Sequence, residues 1–149
     1  MELIIFIGIQ AVGKSTLYQQ RFFNTHIRIN LDMLKTRHRE QILVNACLTA
    51  KQPFVIDNTN VTRSERARYI AAAKAARFRV VGYYLQSPIR DALERNRRRS
   101  GRQLIPEKGI AGTYKRLQLP QLDEGFDELY YVSIDDTQNF IIQEWNHEI

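Results

Sequence analysis

The sequence has a single cysteine, Cys47. A lone thiol cannot close an internal disulfide, so no disulfide partner is expected and a reducing cytoplasm is the simplest setting. No apolar run approaches the roughly 18–20 residues that a membrane span needs, so no membrane partner is expected either. The opening run Leu3-Ile4-Ile5-Phe6-Ile7 lacks the basic stretch of a signal peptide and passes straight into a glycine turn, so it reads as a buried strand. Internal repeats, low-complexity tracts and linkers are missing, which makes one domain over residues 1–149 the economical reading. An Asn-Lys-x-Asp guanine motif is missing as well, which argues against a switch GTPase.

Apolar residues make up 44% and charged residues 26% of the chain, proportions that suit a globular domain with one real core. Cys47 falls into a helical apolar set with Leu43, Ala46 and Ala50, so core packing is its expected role. The net charge is +6, with sixteen arginines against six lysines. Arginine's planar fork grips phosphate in a bidentate way, so the excess suits an anionic partner, although a solvated basic surface would also account for it.

Hydrophobic patterning predicts alternating strands and helices. Strands are expected at residues 3–7, 26–30, 53–57, 78–85 and 129–134. Helices are expected from about Lys14 to Phe23, Asp32 to Ala50, Thr62 to Ala76, Pro88 past Asn96, Pro106 to Leu117, and from Thr137 through Phe140, Ile141 and Trp145. Thr62-Arg63-Ser64-Glu65 has capping-box spacing, and Ser87-Pro88 reads as an N-cap with proline at the first helical position. This order predicts a parallel sheet with right-handed crossovers.

Gly8-Ile9-Gln10-Ala11-Val12-Gly13-Lys14-Ser15 reads G-x-x-x-x-G-K-S, placed between a buried strand and a helix. Glycines let the backbone curl so that its N–H groups converge on phosphate oxygens, and the helix adds its positive end. In that setting Lys14 bridges the outer phosphates, Ser15 ligates Mg²⁺, and Thr16 adds a hydroxyl near the α-phosphate. Gln10 and Ala11 are bulkier than the residues common in such loops, which leaves the backbone less slack. ATP and Mg²⁺ are the expected ligands. The fold class is α/β, a three-layer αβα sandwich of the P-loop NTPase type with a five-stranded parallel sheet.

Asp57 ends the third strand beside this loop, where a carboxylate can hold the magnesium shell through water; turn or cap formation is the plainer alternative. Asn58, Thr59 and Asn60 follow it as a polar cluster at a strand's carboxyl end, the place where open α/β sheets bind substrates. Asp32, two residues past the second strand, can accept the proton of an attacking hydroxyl, or can cap the helix after it. Lys35, one turn on, can hold an acceptor phosphate. Arg90, Arg95, Arg97, Arg98, Arg99 and Arg102 crowd into thirteen residues that include Ser100-Gly101. A basic segment between two helices, spanning about 95–117, looks like a lid that neutralises charge on the transferred phosphoryl group, with Arg98 and Arg99 as catalytic candidates and Arg95 and Arg102 as nucleotide contacts. A solvated charged face is its alternative.

Together these residues resemble the kinase domain of the polynucleotide 5′-hydroxyl kinase family, over roughly residues 4–134. The resemblance rests on the phosphate loop, Ile29-Asn30-Leu31-Asp32, Val55-Ile56-Asp57-Asn58-Thr59-Asn60 with Arg66-Ala67-Arg68-Tyr69, Arg95-Asn96-Arg97-Arg98, and Gly125-Phe126. It implies transfer of the γ-phosphate of ATP to the 5′-hydroxyl of DNA or RNA. It implies that Asp32 is the general base and that Lys14 and Ser15 bind the β- and γ-phosphates and Mg²⁺. An arginine within 95–102 would grip the phosphates, and Asn58 and Asn60 would lie near the acceptor. The family's catalytic aspartate usually follows an arginine; here Leu31 stands in that place. A small-molecule kinase of the same fold, or a nucleotide-binding module without transfer activity, therefore stays open.

Overall fold

The computed structural model describes residues 1–86, 89–101 and 105–146. In chain order these form β1 (Glu2–Ile7), α1 (Lys14–Arg21), β2 (Ile27–Ile29), α2 (Leu31–Leu34), α3 (Arg37–Ala50), β3 (Phe54–Ile56), α4 (Arg63–Ala75), β4 (Arg79–Leu85), α5 (Ile89–Arg97), α6 (Glu107–Arg116), a 3₁₀ turn (Leu122–Glu124), β5 (Glu128–Ile134) and β6 (Phe140–Glu144). The sheet order is β2-β3-β1-β4-β5-β6. Neighbours pair in parallel except β5 and β6, which pair antiparallel.

Side-chain alternation along β1 explains the three layers. Leu3, Ile5 and Ile7 point to one face and pack with Val44 and Cys47 of α3 and Tyr69, Ile70 and Ala73 of α4. Ile4 and Phe6 point to the other face and pack with Leu17 of α1, Ala92 of α5 and Ile110 of α6. A strand covered on both faces reads as an unbroken apolar run, as residues 3–7 do. Cys47 lies in the core as its helical set implied, and burial raises its thiol pKa.

Two expectations from the sequence are overturned. The segment after Thr137 is a sixth, antiparallel strand instead of a helix, so the sheet has six strands and is mixed. Asp135 accepts hydrogen bonds from the backbone N–H groups of Thr137 and Asn139, and Gln138 takes a positive φ of 66°, which closes a hairpin turn. Phe140 and Ile142 then face the α1 side, while Ile141 is exposed and Trp145 packs edge-on against Tyr84. That is a period of two, and only the docking surface on β5 distinguishes it from a short apolar helix. The helix foreseen from Asp32 to Ala50 is also broken: Lys35 has φ 75° and ends α2, and Thr36 restarts the chain by accepting from the Arg39 N–H as N-cap of α3. The Ser87-Pro88 cap and Arg102 lie outside the described residues.

Gly82 on β4 sits where a Cβ would come within 2.7 Å of both Leu129 Cδ1 and Phe126 Cε1. Gly82→Ala should destabilise the protein by about 1–3 kcal/mol through overpacking, read as a lower denaturant midpoint with an unchanged slope.

Candidate active site

The phosphate loop lies between β1 and α1 and is held from two sides. Gly8 N–H donates to the Thr59 carbonyl at 2.9 Å, and a Cβ on Gly8 would meet the Leu85 carbonyl oxygen at 2.9 Å. Gly13 adopts φ 101° as it enters α1, a conformation that needs glycine. Ala11 also takes a positive φ, 65°, with its methyl buried, so the loop does carry the backbone constraint implied by its lack of a third glycine. Val12 is buried in the core and offers the loop only its backbone.

Around this loop opens a cleft of about 420 Å³ at the carboxyl ends of β1, β2 and β3. Gln10, Ala11, Gly13, Lys14, Ser15, Thr16, Asp32, Asp57, Asn58, Thr59, Asn60 and Arg99 of the sequence-derived set line it. Lys35, Arg95 and Arg98 do not. Lys35 caps the end of α2, and Arg95 and Arg98 border a separate depression with Asp91, Glu94 and Gln138. Arg98 pairs with Glu94 at 3.2 Å and Arg97 with Glu107 at 2.6 Å. Asn96 on α5 is tied to Ile105: its amide donates to the Ile105 carbonyl and accepts from the Ile105 N–H at 2.8 Å.

Lys14 Nζ donates to the Gly8 and Ile9 carbonyls at 2.9 and 2.6 Å. The residue as a whole is half-buried, but burial of its ammonium is the main force on its pKa and lowers it from 10.5 to about 8. Asp57 and Asp32 oppose that shift and Arg99 adds to it, so the charges of all three reach Lys14. Between about pH 8 and 10.5 the unfolded chain holds more of this proton than the native chain. Stability from this group therefore rises with pH across that window.

Asp57 is buried, and its Oδ2 accepts from Ser15 Oγ at 3.2 Å and from Arg28 Nε at 2.7 Å. Arg28 Nη2 also donates to Ser15 Oγ at 3.0 Å. A hydroxyl and a buried carboxylate this close make a hard-oxygen pair suited to Mg²⁺, which takes one or two protein oxygens and completes its shell with phosphate and water. No cluster of three or more His, Cys, Asp or Glu side chains that could hold a metal alone occurs among the described residues. The cleft also presents a buried acceptor, Gln10 Oε1, without a protein partner, while Gln10 Nε2 donates to Thr113 on α6 at 2.9 Å. A ligand N–H or O–H there would relieve the desolvation of that oxygen.

Asp32 stands on the first turn of α2, exposed within the cleft. It does not cap that helix. Asn30 does, accepting from the Met33 N–H at 3.0 Å while donating to the Asp57 carbonyl at 2.6 Å. Asn58 Oδ1 accepts from the Leu31 N–H at 2.8 Å, and Asn58 Nδ2 donates to the buried Glu40 at 3.0 Å. Glu40 further accepts from Arg37 Nη1 at 2.9 Å and from Tyr69 Oη at 2.8 Å. Burial and that bond push the Tyr69 phenol up to about 12. Asn60 is buried with φ 48°, and its amide donates to the Phe6 carbonyl at 2.8 Å.

Arg28, Arg37, Glu40 and Arg116 were not singled out from the sequence. Arg37 and Arg116 line the cleft. The period of two along β2 places Arg28 on the face of Asn30, and that was a legible signal. Nothing local marks Glu40 or Arg116, whose roles arise from packing between α3, α4 and α6.

A family described as AAA domain, AAA_33, matches residues 3–120. The chain belongs to this AAA domain family. It is 30% identical over 129 residues to a bifunctional polynucleotide phosphatase/kinase of Schizosaccharomyces pombe, covering 84% of this chain and 32% of that protein. The chain thus spans about a third of that relative's length. Among solved structures, Kti12 of Chaetomium thermophilum in complex with ADP-AlF3 superposes with a TM-score of 0.67 at 18% identity, over 91% of this chain and 92% of the other. A gluconokinase from Sinorhizobium meliloti gives 0.61 at 16% identity, over 89% and 82%. The fold is the α/β P-loop kinase fold. No described helix is long and apolar enough to cross a membrane.

Proposed function

We propose that this single domain, with residues 95–117 as its lid, transfers the γ-phosphate of ATP to a hydroxyl, and that the acceptor is the 5′ end of a polynucleotide. The observation that carries the transfer is a carboxylate, Asp32, in the same cleft as the phosphate loop and within electrostatic reach of Lys14. Loop N–H groups and Lys14 hold the nucleotide's outer phosphates. Mg²⁺, held by Ser15 and through water by Asp57, would neutralise charge on those phosphates. The acceptor oxygen attacks the γ-phosphorus, its proton passes to Asp32, and the bond to the β–γ bridging oxygen breaks to release ADP. Arg99 supports the charge developing on the transferred group.

Arg37 and Arg116 in the cleft, a net charge of +6 and the likeness to a polynucleotide phosphatase/kinase support a nucleic-acid acceptor. A small polyol or sugar acceptor is the second reading. It is favoured by Leu31, which lines the cleft beside Asp32 where an arginine would have met a phosphate. Labelled ATP offered with 5′-hydroxyl oligonucleotides and with a panel of sugars and alcohols tests this. Transfer to oligonucleotides that weakens steeply with salt is expected; transfer to small acceptors alone would end the nucleic-acid reading.

Lys14 adds a pH signature. Phosphate beside the ammonium favours its charged form, so nucleotide binding should take up a proton near about pH 9 and almost none near about pH 6.5. Calorimetry in buffers of different ionisation enthalpy measures this, and Lys14→Met should remove the uptake.

A further inference from the structure

Arg28 is a cation that the proposed transfer does not use. It lies on β2, the edge strand, and its guanidinium spans two side chains at once, with Nε 2.7 Å from Asp57 Oδ2 and Nη2 3.0 Å from Ser15 Oγ. Those are the same two oxygens that the proposed function gives to magnesium. An oxygen lone pair aimed at a guanidinium N–H is not available to a metal ion or its water, and a dication beside a guanidinium is repelled by it. Asp57 is 1% exposed, so its charge cannot be left to solvent. Lys14 is turned toward the Gly8 and Ile9 carbonyls.

We propose that Arg28 is a tethered cation that occupies the Ser15–Asp57 pair, pairs with the buried Asp57 carboxylate and orients Ser15, and is displaced by magnesium-nucleotide. Arg28 thereby sets how much magnesium nucleotide binding requires. A divalent ion bridged to nucleotide phosphates displaces the fork; a monovalent ion does not. The inference rests on the proposed magnesium role of Ser15 and Asp57. It goes beyond that role by assigning the competitor to this chain.

The test uses the full chain, R28M and R28K, with a fluorescent ADP analogue titrated by magnesium. In R28M the magnesium concentration for half-maximal binding should fall several-fold. Its unfolding midpoint in chelator should also drop by several degrees and recover with magnesium and ADP. R28K keeps a charge but loses the two-atom fork, and it should fall between the two. An unchanged or raised magnesium requirement in R28M overturns the inference while leaving the kinase reading intact. Analogue binding by the wild type that ignores magnesium removes the magnesium role of Ser15 and Asp57 and, with it, the inference, while leaving the phosphoryl-transfer reading to the acceptor test. If R28M does not fold, the wild-type Arg28 Nε–H resonance, assigned by its loss in R28K, still decides. It should move on adding magnesium and ADP but not ADP in chelator, and a stationary signal rejects displacement.

Discussion

Asp32→Asn is expected to slow phosphoryl transfer by roughly 10²- to 10⁴-fold, the range that a positioned general base contributes, while nucleotide affinity changes little. Asparagine keeps the side-chain shape and a donor–acceptor pair but cannot take a proton. The cap of α2 belongs to Asn30 and the Leu31 N–H is held by Asn58, so the helix that carries position 32 should not move. Asp32 is exposed in the cleft, so no buried partner is orphaned. Single-turnover rates at saturating ATP, with nucleotide affinity measured separately, make the check. A variant that transfers phosphate at the wild-type rate removes Asp32 from the mechanism. A variant that fails to bind nucleotide shows that the carboxylate acts through Lys14 instead.

Arg66→Ala is expected to give the largest loss of stability. Arg66 is fully buried on α4, and Nε and Nη2 donate to the two oxygens of Glu124 at 2.8 and 3.1 Å. Nη1 donates to the Asn60 carbonyl at 2.9 Å. Removing the guanidinium leaves the buried Glu124 carboxylate with only the Gln121 N–H at 2.8 Å and Arg63 at 4.0 Å, and leaves a carbonyl unpaired, which costs about 3–5 kcal/mol and lowers Tm by roughly 10 °C in a chain of this size. The damage should reach the cleft, because Asn60 ties the loop after β3 to the Phe6 carbonyl and Thr59 holds Gly8. Nucleotide affinity should therefore fall with stability. The double variant Arg66→Met with Glu124→Leu should regain much of the stability, since a buried pair replaced by apolar groups of similar volume is often neutral. Denaturant unfolding of the two singles and the double measures the coupling. A double variant no better than Arg66→Ala would place the cost in packing instead of in the charge.

The same residues show where reading the sequence was enough. The unbroken run at residues 3–7 and the G-x-x-x-x-G-K-S spacing located β1, the loop and α1, because a doubly covered strand and a loop of converging N–H groups each demand local residue types. Arg66-Ala67-Arg68-Tyr69 stood out by resemblance, but its physical content was hidden. Arg66 answers to Glu124 and Tyr69 to Glu40, partners that lie 58 and 29 residues away. The misread final segment is the mirror case. Phe140, Ile141, Ile142 and Trp145 carry enough apolar character for either a helix or a strand. The free edge of β5, invisible in the local sequence, settled the matter. The arginine cluster divided in a way no run of letters reveals, with Arg99 in the cleft and Arg97 and Arg98 paired with Glu107 and Glu94.

The sequence by itself determined the alternation of strands and helices as far as β5, the phosphate loop and the two aspartates at strand ends, since each depends on residues within a few positions of one another. Only the tertiary structure decided what those aspartates face. Arg28 on Asp57, the Glu40–Asn58 support behind Leu31 and the Arg66–Glu124 pair all join distant segments. Buried charge must find its partner across space, and the partner's position is set by how the layers close on the sheet, not by proximity along the chain.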